Sequence, residues 1–121
     1  QIGAVDFISV YAADFDLLDE NLHGYSNYRF SEYPARKRLV SSAIKELLLD
    51  GNIRFQMALT GYKYSITEAG KSICKKLTSN YADEYRIAVQ TVIKSFDNAN
   101  AELMLREINR LTIQSLEGGQ A

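Results

Sequence analysis

The chain has 121 residues, of which 46% are hydrophobic and 24% charged, with a formal net charge of −1. That length fits one domain able to bury roughly two-thirds of its unfolded surface, and no apolar run reaches the roughly 18 residues needed to cross a bilayer. A single cysteine, Cys74, excludes an internal disulfide and a paired-thiol metal site, which together with the lack of a signal-peptide pattern points to the reducing cytoplasm.

From the start, residues 2–13 read as a first helix, with Val5, Ile8 and Ala12 on one side and Phe7 and Tyr11 beside them. Residues 14–22 read as a short second helix, Leu17, Leu18 and Leu22 being its buried points and Asp14 or Asp16 its cap. Residues 23–34 lack periodicity but hold Tyr25, Tyr28, Phe30 and Tyr33, the composition of a packed loop. Pro34 suits the first turn of the next helix, where its missing N–H costs nothing.

Residues 35–50 place Leu39, Val40, Ala43, Ile44, Leu47 and Leu48 on one broad helical face, which is expected to be buried. Gly51 and Asn52 stop that helix. Two β-prone runs, 53–59 and 62–67, follow with Thr60 and Gly61 as the turn between them. Helix then hairpin is the second half of a winged helix-turn-helix, and the rest of the chain is expected to pack around it. Thr67 and Glu68 cap a helix over 68–77, with Ala69, Ile73 and Leu77 on one face, and Ser79 and Asn80 break and recap the chain. Residues 81–96 are strongly amphipathic, through Tyr81, Tyr85, Ala88, Val89, Val92, Ile93 and Phe96. After a break at 97–100, a last helix over 101–116 is nearly encircled by Leu103, Met104, Leu105, Ile108, Leu111 and Ile113, too many for one contact.

The predicted fold class is therefore mainly α: a winged helix-turn-helix-like domain (1–80) with one β-hairpin, a C-terminal helical pair (81–116) packing on it or on a partner, and a flexible tail (117–121).

Charge is unevenly spread. Residues 1–28 hold five acids and no base, whereas residues 29–76 hold ten bases against four acids. A basic middle is a physical reason to consider an anionic partner; equally, the acidic first segment can fold against it and cancel it. A sequence pI near 5.8 is well below that of a dedicated nucleic-acid binder.

Catalytic chemistry finds little support. His23 is the only histidine, which rules out histidine pairs for metal binding within the chain, and its helix-end neighbours favour a structural role. No phosphate-binding glycine loop is present. Cys74 reads as packing, since no neighbouring histidine can generate its thiolate. No catalytic, metal or cofactor-binding residue is assigned, and neither a small-molecule substrate nor a membrane partner is expected.

Interaction chemistry is better supplied. Opposite the apolar stripe of the 35–50 helix lie Arg38, Ser41, Ser42 and Lys45, suited to phosphate and base-edge contacts, and Arg36, Lys37, Arg54 and Lys63 extend that set. The same face also reads as a solvated helix exterior. Leu49 beside it suits a protein contact better than DNA, and the uncharged tip Thr60-Gly61 makes a poor minor-groove probe.

The runs NLHGYSNYRFSEYPARKRLV (Asn21 to Val40), GYKYSITEAG (Gly61 to Gly70) and SNYADEYR (Ser79 to Arg86), in that order and spacing, resemble the middle component of ABC three-component systems, a family linked with Lamassu-type anti-phage defence. The similarity runs from about Ile2 to Phe96 and leaves out the last helix. Tyr25 stands where an acidic residue often follows the Leu-His-Gly of this family. The resemblance implies a small winged-helix-like subunit encoded between an ATPase similar to structural-maintenance-of-chromosomes (SMC) proteins and an effector, often a nuclease, and it brings no catalytic residues. The expectation is a non-catalytic bridge between those two, docking through Leu49, Tyr81, Tyr85, Leu103, Met104, Leu105, Ile108, Leu111 and Ile113. The alternative is a DNA-binding winged-helix regulator or sensor, with duplex DNA met alone or within the complex.

Overall fold

A helix apolar on every side is stable only when surrounded. Helix α1 (Ile2–Val10) is close to that kind, Asp6 and Ser9 being its polar side chains, with Gly3, Ala4 and Asp6 through Val10 all buried. In the computed structural model, which describes residues 1–59 and 61–118, α1 is followed by 3₁₀ turns at Ala12–Phe15 and Arg29–Glu32, then α2 (Tyr33–Leu49), β1 (Ile53–Ala58), β2 (Gly61–Ile66), α3 (Glu68–Lys76), α4 (Asn80–Ser95) and α5 (Ala101–Gly118). The described residues are mainly helical, with one two-stranded antiparallel hairpin and five α-helices.

The core is built around α1, which packs against α2, α4 and α5. This corrects the expectation that the helix and hairpin of 35–67 form the centre. Phe7, Ile8, Val10 and Tyr11 meet Phe15, Phe30, Val92, Met104 and Ile108. The Phe7 ring is ringed edge-on by Tyr11 and Tyr33, both at 5.2 Å, and by Phe30 at 6.3 Å and Phe15 at 6.5 Å. Phe30 and Tyr33 thus anchor the aromatic loop, while Tyr25 and Tyr28 are exposed.

Two local expectations fail for identifiable reasons. The helix expected over 14–22 is a single 3₁₀ turn, because Asp16 takes a left-handed backbone conformation (φ 59°) that ends it. Past that point the buried Asn21 organises the chain: its Oδ1 accepts from the Ala13 and Asp14 amides at 2.8 and 3.3 Å, and its Nδ2 donates to Asp14 at 2.8 Å. The second failure is the apolar stripe of α2. No α2 residue is fully buried, and Leu39 and Leu47 are exposed. With 17 residues α2 is about 25 Å long, whereas the 9 residues of α1 span about 13 Å and can cover only part of it.

The turn from α2 into the hairpin is firmly tied. Gly51 adopts φ 75°, as a helix-closing residue must. The Asn52 amide donates back to Leu47 O at 2.8 Å. Thr67 then does two things at once: its hydroxyl donates to Gly51 O at 2.7 Å and accepts from the Gly70 amide at 3.1 Å, capping α3. Gly70 lies so close that a Cβ there would stand 2.1 Å from Asn52 O. The strands pair Ile53 with Ile66, Phe55 with Tyr64 and Met57 with Tyr62. Thr60, half of the expected turn, lies outside the described residues, as do 119–121 of the expected tail; Glu117 and Gly118 belong to α5. None of the described helices is long and apolar enough to cross a membrane.

Candidate partner-binding surface

The hairpin alternates, so one of its faces collects Ile53, Phe55 and Met57 from β1 with Tyr62, Tyr64 and Ile66 from β2. A two-stranded ribbon with an apolar face needs a cover. Here the cover is incomplete: Met57 is 81% exposed and Tyr62 73%. Tyr62 and Tyr64 line an open cleft of about 260 Å³ together with Val40, Ser41 and Ile44 of α2 and the start of α1 at Ile2 and Gly3. Lys37, packed beside Gly3, is the one charged side chain in that lining.

The neighbouring α3 extends the pattern. Apart from Gly70 its residues are all exposed, Ile73 among them, and so is Leu77 just past its end. It is held at its far end by Arg86 of α4, whose guanidinium donates to Cys74 O at 2.8 Å and Leu77 O at 2.9 Å. Cys74 is exposed, not packed as expected, and lines a hollow of about 450 Å³ with Leu77, Tyr81 and Tyr85. More than half of the exposed large hydrophobic residues fall between Leu39 and Leu77.

The residues singled out for DNA divide. Arg38, Ser41, Ser42 and Lys45 share an exposed strip of α2 with Leu49, itself 86% exposed. Lys63 and Arg54 are exposed on the other face of the hairpin. Among the described residues, Lys37, Arg38, Lys45, Arg54 and Lys63 form no salt bridge. Arg36 differs. Its Nε and one terminal nitrogen each donate to Asp6 at 2.8 Å, which holds the guanidinium above its ordinary pKa and removes it from any phosphate-binding set.

The residues singled out for a protein partner divide as well. Met104 and Ile108 are wholly within the chain's own core, and Leu111 packs partly against it. Leu103, Leu105 and Ile113 remain exposed, and Leu105, Ile113 and Leu116 lie on the outer side of α5. Tyr85 is committed inward: its hydroxyl donates to Asp6 at 2.7 Å, and burial with that bond raises its pKa. Tyr81 is half-exposed but joined to His23, ring nitrogen to hydroxyl, at 2.7 Å. Burial and the nearby Arg36 charge lower the His23 pKa.

Sequence reasoning missed two features. Asp6, buried under the bonds from Arg36 and Tyr85, ties α1 to α2 and α4; an acid flanked by Val5 and Phe7 in an otherwise apolar helix was its signal. The hairpin's apolar face was signalled by strict alternation in both strands with no third strand to cover it. Among the described residues, no group of three or more His, Cys, Asp or Glu is placed to hold a metal ion.

Among known families, a model described as ABC-three component (ABC-3C) system Middle Component 2 matches residues 1–118. No curated protein and no solved structure matches.

Proposed function

Since the chain belongs to the ABC-three component system Middle Component 2 family, we propose that it is a non-catalytic adaptor joining an SMC-like ATPase to an effector, often a nuclease, in a Lamassu-type anti-phage defence complex. In this reading α2 and the hairpin form a winged-helix-like unit used for protein contact. The observation that carries it is the unpartnered apolar surface from Leu39 to Leu77, on a chain whose buried core is gathered around α1. Isolated domains seldom leave so many large apolar groups in contact with water unless a partner covers them. A bridge also needs a second contact, and the outer side of α5 with Leu105, Ile113 and Leu116 offers one.

Co-expression of the three subunits with an affinity tag on the ATPase tests the proposal. The effector is expected in the eluate when this chain is present and absent when it is omitted. Effector capture in equal amount without this chain would remove the adaptor role.

A second reading, a DNA-binding regulator or sensor, draws on Arg38, Ser41, Ser42 and Lys45, a strip with exposed cations and no paired carboxylate. It requires that the pure chain bind duplex DNA with an affinity that falls steeply with salt, and that Arg38→Ala with Lys45→Ala lower the log–log salt slope by about two.

A further inference from the structure

We propose that the cleft between the hairpin and α2 receives an apolar segment flanked by carboxylates from one of the partner subunits; this rests on the adaptor reading. Three observations on the same site carry it. Its apolar and aromatic walls come from three separate elements, Tyr62 and Tyr64 from β2, Val40 and Ile44 from α2, and Ile2 from α1, with Gln1, Ser41 and Lys37 as the polar part of the lining. A volume of about 260 Å³ is small beside the roughly 300–1,000 Å³ of small-molecule sites and suits a few inserted side chains. The Met57 and Tyr62 pair continues the apolar surface past the cleft along the hairpin.

Charge selects the occupant. Lys37 lines the cleft, and Arg38 and Lys45 stand on the adjoining strip of α2; among the described residues none of the three forms a salt bridge. The exposed acids of α2 and its end, Glu46 and Asp50, fall on the far side of the helix from Lys37 and Ile44. An incoming segment therefore meets a largely apolar floor with cations along its α2 edge, and complementarity calls for Asp or Glu beside apolar anchors. Two copies of this face would set cation against cation, which disfavours a symmetric dimer through it. A nucleic-acid strand would find these few cations confined to one wall, with the apolar remainder of the cleft offering its phosphates nothing.

The test uses the reconstituted three-subunit complex, with the photo-cross-linker p-benzoylphenylalanine placed at Tyr62, at Ile113, or at the remote and exposed Tyr28. Cross-linked peptides are identified by mass spectrometry. From Tyr62 the expected product is a peptide of the ATPase or effector with apolar residues beside Asp or Glu, while Tyr28 gives none. Lys37→Glu, with an unchanged circular dichroism spectrum, is expected to weaken that association about tenfold, the effect of losing one well-placed interface contact. An assembled complex that cross-links from Ile113 but not from Tyr62 overturns the inference and leaves the adaptor reading standing. Cross-linking from Tyr62 to nucleic acid or to a second copy of the chain also overturns it. Failure of the three subunits to assemble overturns both.

Discussion

Arg36 of α2 and Asp6 of α1 meet fork to fork, both contacts at 2.8 Å, with the Asp6 side chain 6% exposed and that of Arg36 21%. The pair joins the two helices, and the Tyr85 hydroxyl of α4 donates to the same carboxylate. Burying a carboxylate this deeply is costly unless every lone pair is used, so the residues around it act as one unit.

Removing one member should therefore cost far more than the pair contributes. Arg36→Ala is expected to lower unfolding free energy by about 3–5 kcal/mol, because it leaves the Asp6 charge buried and uncompensated. Urea denaturation measures it, with the exposed Arg38→Ala as a surface control changing stability by no more than about 0.5 kcal/mol. Equal effects for the two variants would contradict the account.

Tyrosine ionisation is expected to lower stability at alkaline pH. Burial and donation to Glu32 push the Tyr11 hydroxyl from 10.0 up to about 12, and burial with donation to Asp6 raises Tyr85 as well. A folded-state pKa above the unfolded one means that the folded chain keeps a proton the unfolded chain has released. The contribution is thus complete below pH 10 and is lost as pH rises from there through 12. Melting temperature should fall across that window, less steeply for Tyr11→Phe than for the parent chain. An identical slope in both would remove Tyr11 from the explanation.

Gly70 allows α3 to start against the end of α2. A methyl group there would lie 2.1 Å from Asn52 O and 2.8 Å from the Ile66 side chain, and the first of these is backbone that cannot turn aside. Gly70→Ala is expected to destabilise by about 1–3 kcal/mol, the usual cost of overpacking. Thermal unfolding with no loss would show that α3 is free of the hairpin.

The last helix separates core from surface along its own length. Met104→Ala or Ile108→Ala should cost about 2–5 kcal/mol through the cavity left behind, whereas Leu105→Ser and Ile113→Ser should leave stability within about 0.5 kcal/mol. Denaturation midpoints of the four variants distinguish these; comparable losses in all four would mean that the outer side of α5 is also packed.

Much of this architecture was legible because it is local. Thr67 and Ser79 cap α3 and α4 as their types predict, the latter accepting from the Ala82 amide at 3.1 Å. Gly51 closes α2, and the alternation in β1 and β2 gives the hairpin its register. What escaped is non-local. Periodicity located the α2 stripe but not whether anything reaches it, which depends on the length of α1 three elements away. Asp14 to Leu22 has helical apolar spacing, yet Asn21 offers the preceding amides a side-chain acceptor and Asp16 turns left-handed. Of the proposed contact residues, Arg38, Ser41, Ser42 and Lys45 are exposed on α2, with Ser41 reaching the cleft beside Val40 and Ile44, while the inward ties of Arg36 and Tyr85 to Asp6 span 30 and 79 residues, beyond any window of local pattern.

The most direct measurement is the dissociation constant of purified ATPase and effector, determined by light scattering with and without this chain. A connector predicts a complex containing all three proteins, and little or no association of the other two alone. Equal affinity with and without the chain, with the chain absent from the complex, would contradict the account.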